Sequence, residues 1–346
     1  MRDALSDIDR WLAEGEDVAL ATVIETWGSS PRGVGSRMGI TASGKICGSV
    51  SGGCVEGAVV ETAIEALKTR RGKFLHFGVA DETAWEVGLA CGGSIDVFVN
   101  PLDTTIYTEL RRGLLAEQPT AALTVVKGPD ALVGREAMLG EKDQLVGSLG
   151  GDLDAAAMTA LQAAREAGKS GRAILRGTEI EVYIDTLLPQ PTLIIIGGAH
   201  VSIALVTLAH TLGFRTVVID PRKAFGTAER FAHADQLITL WPDKALKQVG
   251  ITRSTAVAVL THDPKIDDPA LMAALPSPAF YVGALGSKNT QAKRRQRLLE
   301  AGLSIADMDR LHGPIGLEIG AKKPEEIALA VMAEIIAERG RNSRSA

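Results

Sequence analysis

The sequence predicts a two-part α/β protein. An N-terminal α/β domain with an internal duplication spans residues 1–188, and a doubly wound parallel sheet spans residues 189–346. Three observations carry this. In Leu187-Leu-Pro-Gln-Pro191, two prolines flank one residue, which stops a helix and holds an extended connector. Directly after it, Thr192-Leu-Ile-Ile-Ile196 is a continuous apolar run that meets Gly197-Gly198, the pattern of a strand buried on both faces turning into a helix. Before it, one glycine-turn motif occurs twice, as Gly48-Ser-Val-Ser-Gly-Gly-Cys-Val-Glu56 and as Gly147-Ser-Leu-Gly-Gly-Asp-Leu-Asp154.

Composition bounds the function. The 37 Lys and Arg against 42 Asp and Glu give a net charge of −5, so no basic face displaces counterions from nucleic acid. The 4 Trp, 3 Tyr and 7 Phe are too few for a base-stacking platform. With 46% hydrophobic and 23% charged residues the chain is globular, not disordered or fibrous. An acidic N-terminus without an apolar segment and an odd count of 3 cysteines predict the cytoplasm and no disulfide framework. The longest apolar stretch, residues 193–214, has the length of a membrane span. Gly197, Gly198, His200 and His210 interrupt it, so it reads as a strand followed by a helix.

Each copy in the first domain reads as strand, hairpin, Gly-Gly turn, helix, strand. The strands over residues 19–24 and 121–126 correspond, as do those over residues 95–102 and 181–188, which divides the domain into halves of about 1–102 and 103–188. The copies differ where chemistry could sit. Cys54 follows the first glycine pair and Asp152 the second. A longer excursion in the first copy, residues 79–93, ends in Ala90-Cys91-Gly92-Gly93. Thiol chemistry then belongs to the first copy, and the second is scaffold.

Ser51-Gly-Gly-Cys-Val-Glu56 places a thiol at a helix start, where unpaired N–H groups and the positive helix end favour thiolate. Gly52 and Gly53 let a ligand approach the backbone closely. Cys91 stands directly before Gly92 and Gly93, so the two thiols are expected to share one pocket; the alternative is that each is a small inert core residue. Cys47 reads as core. No C-x-x-C occurs, and the 6 histidines lack H-x-x-x-H spacing, so no structural zinc site is expected. In Thr26-Trp-Gly-Ser-Ser-Pro-Arg-Gly-Val-Gly-Ser-Arg37, Arg32 and the turn amides suit an anionic ligand.

In the second domain, Ile194-Ile-Ile-Gly-Gly-Ala-His-Val-Ser202 followed by Arg215-Thr-Val-Val-Ile-Asp220 has the layout of a Rossmann-like dinucleotide-binding βαβ unit. Gly197, Gly198 and His200 open its helix, and Asp220 stands where a ribose-binding acid is expected. Ala199 replaces the second glycine of the fingerprint. Thr261-His-Asp-Pro-Lys265 lies at the end of the next strand, with His262 and Asp263 the best acid–base candidates for an NAD(P)-dependent oxidoreductase. Gly286, Ser287 and Lys288 begin a basic helix and make a phosphate seat. Most of Lys293, Arg294, Arg295 and Arg297 are expected to cover a solvated face.

Gly28-Ser-Ser-Pro-Arg32, the cysteine-bearing motif at residues 48–56, Cys91-Gly-Gly93, Gly197-Gly-Ala-His-Val201, Leu260-Thr-His-Asp263, Tyr281-Val-Gly-Ala-Leu-Gly-Ser287 and Pro314-Ile-Gly-Leu-Glu-Ile-Gly320 together resemble the XdhC/CoxI family of molybdenum-hydroxylase accessory proteins. The likeness covers nearly the whole chain. It implies a cytoplasmic, homodimeric chaperone, not a turnover enzyme. Such a chaperone binds molybdenum cofactor, as molybdopterin or its nucleotide form, and protects it while a cysteine desulfurase supplies the terminal sulfur. It then delivers the cofactor to an apo molybdenum hydroxylase of the xanthine dehydrogenase type. Under this resemblance Cys54 and Cys91 contact the molybdenum end or its sulfur. Arg32 and the amides of Gly52, Gly53, Gly92 and Gly93, with Gly286, Ser287 and Lys288, hold the pterin phosphate. Gly197, Gly198, His200, Asp220 and His262 form the second domain's site. Two competing readings are an NAD(P)-dependent oxidoreductase and a structural adaptor.

Overall fold

The computed structural model describes residues 1–30, 32–78 and 92–345, the side chains of Asp3 and residues 342–345 apart. Its backbone divides into two units, Met1–Leu188 and Pro189–Ala346.

The first unit opens with α1 (Leu5–Ala13), whose Ile8 and Trp11, three residues apart, are its buried side chains. Then follow β1 (Val18–Trp27), β2 (Arg37–Thr41), β3 (Ile46–Gly48), α2 (Glu56–Thr69), β4 (Lys73–Phe77) and β5 (Ser94–Pro101). The same course repeats from α3 (Thr104–Leu115) through β6 (Thr120–Lys127), β7 (Glu136–Leu139), β8 (Leu145–Gly147), α4 (Leu153–Ala167), β9 (Gly171–Ile174) and β10 (Glu181–Leu187). Asp103 caps α3, accepting the amides of Thr105 at 2.8 Å and Ile106 at 3.1 Å. The two sheets have matching strand orders, β3-β2-β1-β5-β4 and β8-β7-β6-β10-β9, antiparallel throughout.

Alternation along β1 and β6 assigns their faces. Ala19, Ala21 and Val23 pack with Val59, Ala63 and Ala66 of α2, and Ala121, Leu123 and Val125 with Ala157 and Leu161 of α4. On the other faces Ile24, Phe98, Val126 and Tyr183 join in one apolar cluster, so the two sheets meet there. Each sheet is thus covered by a helix outside and by its repeat inside.

The register corrects the alignment of the copies. Thr22 pairs with Arg37 and Phe98, and Thr124 with Glu136 and Tyr183. Arg37 therefore corresponds to Glu136, Phe98 to Tyr183, and Asn100 to Asp185. The sequence alignment set Ile95 against Glu181; the sheets set Asp96 there, one residue on. Both strands carry long runs buried on both faces, Val97 through Asn100 and Val182 through Thr186, so alternation supplies no phase there.

The second unit contains β11 (Thr192–Ile196), α5 (His200–Thr211), β12 (Arg215–Ile219), β13 (Gln236–Ile238), α6 (Pro242–Val249), β14 (Thr255–Val259) and α7 (Pro264–Ala274). It continues with β15 (Tyr281–Ala284), α8 (Lys288–Glu300), α9 (Ile305–Met308), β16 (Leu311–His312) and α10 (Pro324–Ser345). All its strand pairs are parallel, in the order β13-β12-β11-β14-β15-β16. Ile194 and Ile196 belong to a core shared with α6 and α7, whereas Leu193 and Ile195 belong to one shared with α5 and α10. This is the Rossmann-type doubly wound arrangement. Its strand order reverses between β11 and β14, which opens a crevice at their carboxyl ends. Residues 193–214 resolve into β11 and α5, and among the described residues no helix is long and apolar enough to cross a membrane.

Candidate functional site

The cysteine-bearing turn is organised by an acid. Glu56, the first residue of α2, folds its carboxylate back over the turn. Oε1 accepts the amides of Ser51 at 2.9 Å and Gly52 at 3.0 Å and the Ser49 hydroxyl at 2.7 Å. Oε2 accepts the amides of Gly53 at 2.8 Å and Val55 at 3.2 Å, and the Ser51 hydroxyl. Burial alone would raise this carboxyl, but the hydroxyls of Ser51 and Ser49 and the turn amides hold it down at about 2. The amides of Gly52 and Gly53, expected to meet a ligand phosphate, are therefore engaged within the turn. Sequence reasoning missed Glu56, although an acid in the first helical turn signals such a clamp.

The turn's outer surface remains open. Gly52 and Gly53 have φ of +82° and +123°, and nothing lies within 4 Å of where a Cβ would stand on either. Cys54 beside them is exposed, whereas Val55 is buried. Cys47 in β3 is buried as expected, and burial pushes its thiol upward. Cys91 lies outside the described residues.

Gly92 and Gly93 meet the other N-terminal motif. A Cβ on Gly93 would stand 2.4 Å from the Ser29 carbonyl oxygen and 2.6 Å from that of Trp27. One on Gly28, whose φ is +69°, would lie 3.3 Å from the Gly93 Cα. Glycine at both positions lets the two segments touch backbone to backbone. Arg32 is exposed, and its carbonyl accepts the Ser30 hydroxyl at 2.7 Å.

In the second unit a groove of about 480 Å³ lies at the carboxyl ends of β11 and β14, lined by Ala199, Arg222, Phe225, Thr261, His262 and Asp263 among others. His262 is exposed, and Asp263 caps α7 by accepting the Lys265 amide at 2.9 Å. Arg222 and Phe225 were missed by sequence reasoning. The Arg222 guanidinium lies 4.3 Å from the Phe225 ring centroid, a cation–π contact.

Asp220 does not face this groove as a free acid. It is 0% exposed and accepts the Gly198 amide at 2.7 Å, the Arg222 amide at 2.9 Å, and Arg222 Nε and Nη2 at 2.9 and 2.7 Å. Burial opposes its ionisation, yet Arg222 and the Gly198 amide hold its pKa below the usual range. Gly198 is also covered, since a Cβ there would stand 2.5 Å from the Phe225 carbonyl oxygen. Gly197, at φ +105°, packs on Thr261. These residues do not fit a nicotinamide dinucleotide in the ordinary pose, because its ribose acid is taken by Arg222 and a methyl group, that of Ala199, stands at the close-approach position.

His200 is exposed as the first residue of α5. Gly286, Ser287 and Lys288 stand at the head of α8 and do not line the groove. Ser287 caps α8, accepting the Thr290 amide at 3.2 Å. Arg294, expected on a solvated face, is instead 1% exposed and paired with Asp267 at 2.8 Å.

Comparison with known proteins places this geometry. Residues 11–78 match the model of the XdhC and CoxI family, and residues 193–335 that of the XdhC Rossmann domain. The chain is 29% identical over 340 residues to a probable xanthine dehydrogenase subunit of Bacillus subtilis (strain 168), covering 96% of this chain and 97% of that one. It is 28% identical over 329 residues to the molybdenum cofactor insertion chaperone PaoD of Escherichia coli (strain K12), covering 95% and 85%. A crystal structure described as a xanthine dehydrogenase from Bacillus halodurans matches with a TM-score of 0.76 at 26% identity, covering 99% and 98%. With a family model matched in each unit and relatives aligned over nearly its full length, the chain belongs to the XdhC and CoxI family.

Proposed function

We propose that this chain carries molybdenum cofactor as cargo, shields it, and inserts it into a molybdenum hydroxylase of the xanthine dehydrogenase type. It is an accessory protein and catalyses no turnover of its own. The observation that carries this reading is the exposed Cys54 beside two open glycine faces, in a chain aligned over 95% of its length with a molybdenum cofactor insertion chaperone. A thiolate suits a soft metal centre and its sulfur.

In this reading Cys54 and Cys91 hold the molybdenum end or its sulfur, which a cysteine desulfurase renews. The bare faces of Gly52, Gly53 and Gly92 admit the flat pterin, and Arg32 meets its phosphate. The second unit's groove is, taken by itself, a further site for an anionic group of molybdopterin. Arg222, the start of α5 at Ala199 and His200, and His262 supply hydrogen-bond donors there. Gly197, Gly198 and Asp220 act from behind, shaping the groove's wall. Gly286, Ser287 and Lys288 form a separate phosphate seat at the head of α8. A homodimer is the proposed assembly. The engaged Asp220 counts against the oxidoreductase reading.

Purified protein is mixed with molybdenum cofactor and gel-filtered. The protein peak is then assayed for molybdenum and oxidised-pterin fluorescence. Wild type is expected to retain both, and Cys54→Ala and Cys91→Ala to retain several-fold less. An absence of pterin in the wild-type peak sinks the reading. A parallel NADH titration is expected to give a flat fluorescence trace.

A further inference from the structure

The groove of the second unit rests on a buried ion pair that touches none of its open surface. Asp267 on α7 and Arg294 on α8 are each 1% exposed and lie 2.8 Å apart. Asp267 Oδ1 accepts the hydroxyl of Thr261, which lines the groove and packs against Gly197. On the other side, Arg294 Nη1 donates to the Leu285 carbonyl at 3.1 Å and to Gln291 Oε1 at 2.6 Å. Gln291 Nε2 in turn donates to the carbonyls of Ala284 at 2.8 Å and Gly286 at 3.3 Å. One carboxylate thereby ties the groove-lining segment that follows β14 to the turn that follows β15, and Thr261 passes the contact on to Gly197 after β11.

Stability alone does not call for such a pair. Two apolar side chains of similar volume commonly replace a buried salt bridge without loss of folding free energy, because both desolvation costs disappear. Apolar packing cannot supply direction, however. The pair fixes the Thr261 hydroxyl and the Leu285 carbonyl through hydrogen bonds of set geometry, and Arg294 Nε remains buried without a protein partner.

We propose that Asp267 is a positioning residue for ligand binding in this groove, holding Thr261 directly and the Leu285-Gly286 turn through Arg294. Its effect on affinity rests on the reading of the groove as a cargo site; its effect on the loops does not.

The test uses the full chain with the double replacement Asp267→Leu and Arg294→Met, and separately Thr261→Val, which removes the hydroxyl's bond to Asp267 and the one it accepts from the Asp263 amide at 3.2 Å. Thermal unfolding, amide hydrogen exchange and molybdopterin affinity are read on each. The double variant is expected to melt within a few degrees of wild type. Its amides at residues 261–263 and 285–287 are expected to exchange at least tenfold faster, with those of β11 and β12 unchanged. Its affinity is expected to fall at least tenfold. Thr261→Val is expected to loosen residues 261–263 alone and to weaken binding less. Unchanged exchange in these loops overturns the proposal, as does unchanged affinity where wild type binds. Should the double variant fail to fold, Thr261→Val decides by the same criteria. If wild type binds no molybdopterin, the cargo reading fails, and the exchange result still judges Asp267.

Discussion

The two halves of the N-terminal unit build the same turn and then treat it differently. In the first, Glu56 gathers six donors from residues 49–55; in the second, Asp154 gathers three, the amides of Leu149 at 2.7 Å and Gly150 at 3.2 Å and the Ser148 hydroxyl at 2.7 Å. The first turn is one residue longer, and its acid one methylene longer. The larger difference lies above the turn. Val23 and Val125 donate to the carbonyls of Ser36 and Arg135, both at 2.9 Å, so Ser36 and Arg135 are equivalent. Arg135 donates to the Leu149 carbonyl at 3.3 Å, and its Nη1 would lie 3.4 Å from a Cβ on Gly150. An arginine therefore lies over Gly150 in the second turn, leaving Gly151 and Asp152 exposed, while the first, with Ser36, stays open at Gly52, Gly53 and Cys54. One scaffold gives an exposed thiol beside two uncovered glycines in one copy and an arginine over the first glycine in the other.

The largest expected effect comes from breaking the clamp itself. Glu56→Gln exchanges a carboxylate holding six donors for a neutral amide, and should cost about 3 kcal/mol at neutral pH by denaturant titration. Asp154→Asn, with half the donors, should cost about 1 kcal/mol. The Glu56 carboxyl is depressed from 4.5 to about 2 in the folded state. Its stabilisation is therefore complete above pH 4.5 and lost as pH falls toward 2. Glu56→Gln should remove that part of the acid limb, and equal losses at the two acids would erase the contrast between the turns.

Across the seam between the sheets the equivalent positions carry opposite charge, Arg37 and Glu136. Arg37 pairs with Asp185, their side chains 7% and 9% exposed. Burial pushes Glu136 up to about 7, against the Thr124 hydroxyl, Arg37 and Asn100, with Asp103 adding to the rise. The folded state thus binds this proton more tightly than the unfolded chain. Stability should decline as pH rises from about 4.5 to 7, as linkage requires. Glu136→Gln should abolish that decline and stabilise the protein at pH 8 by about 2 kcal/mol. An unaltered pH profile would place Glu136 outside the seam's balance.

The smallest expected effect on stability tests the contrast most directly. Ser36→Arg, copying the second half, should leave stability within about 0.5 kcal/mol. It should slow alkylation of Cys54 several-fold in a Cys91→Ser background, with buried Cys47 unreactive as an internal check on folding. The reverse change, Arg135→Ser, should speed hydrogen exchange at Gly150. Alkylation of Cys54 at the wild-type rate in Ser36→Arg would show that Ser36 does not govern the opening.

Much of the architecture was legible because its signals are local. The apolar run of β11, the proline-flanked connector and the repeated glycine turns each declare themselves within ten residues. Cys47 as core followed from its place in a strand. The correspondence of β5 with β10 slipped by one because strands buried on both faces have no alternation to set their phase. Arg294 looked like part of a solvated run because its partner, Asp267, lies 27 residues earlier on another helix.

Residue order alone established which side-chain types stand at the ends of strands and the starts of helices. That was sufficient for the fold and the family, because backbone preference and hydrophobic patterning act over a few neighbours. Which polar groups remain available to a ligand was settled later, by packing between distant segments. Asp220 and the amides of Gly52 and Gly53 stand where a binding site was expected, yet Arg222 and Glu56 engage them. Ser36 and Arg135 differ by one side chain, yet one leaves the first glycine of its turn bare and the other covers it. A hydrogen-bonding group's availability depends on every neighbour within about 3 Å, and folding chooses those neighbours.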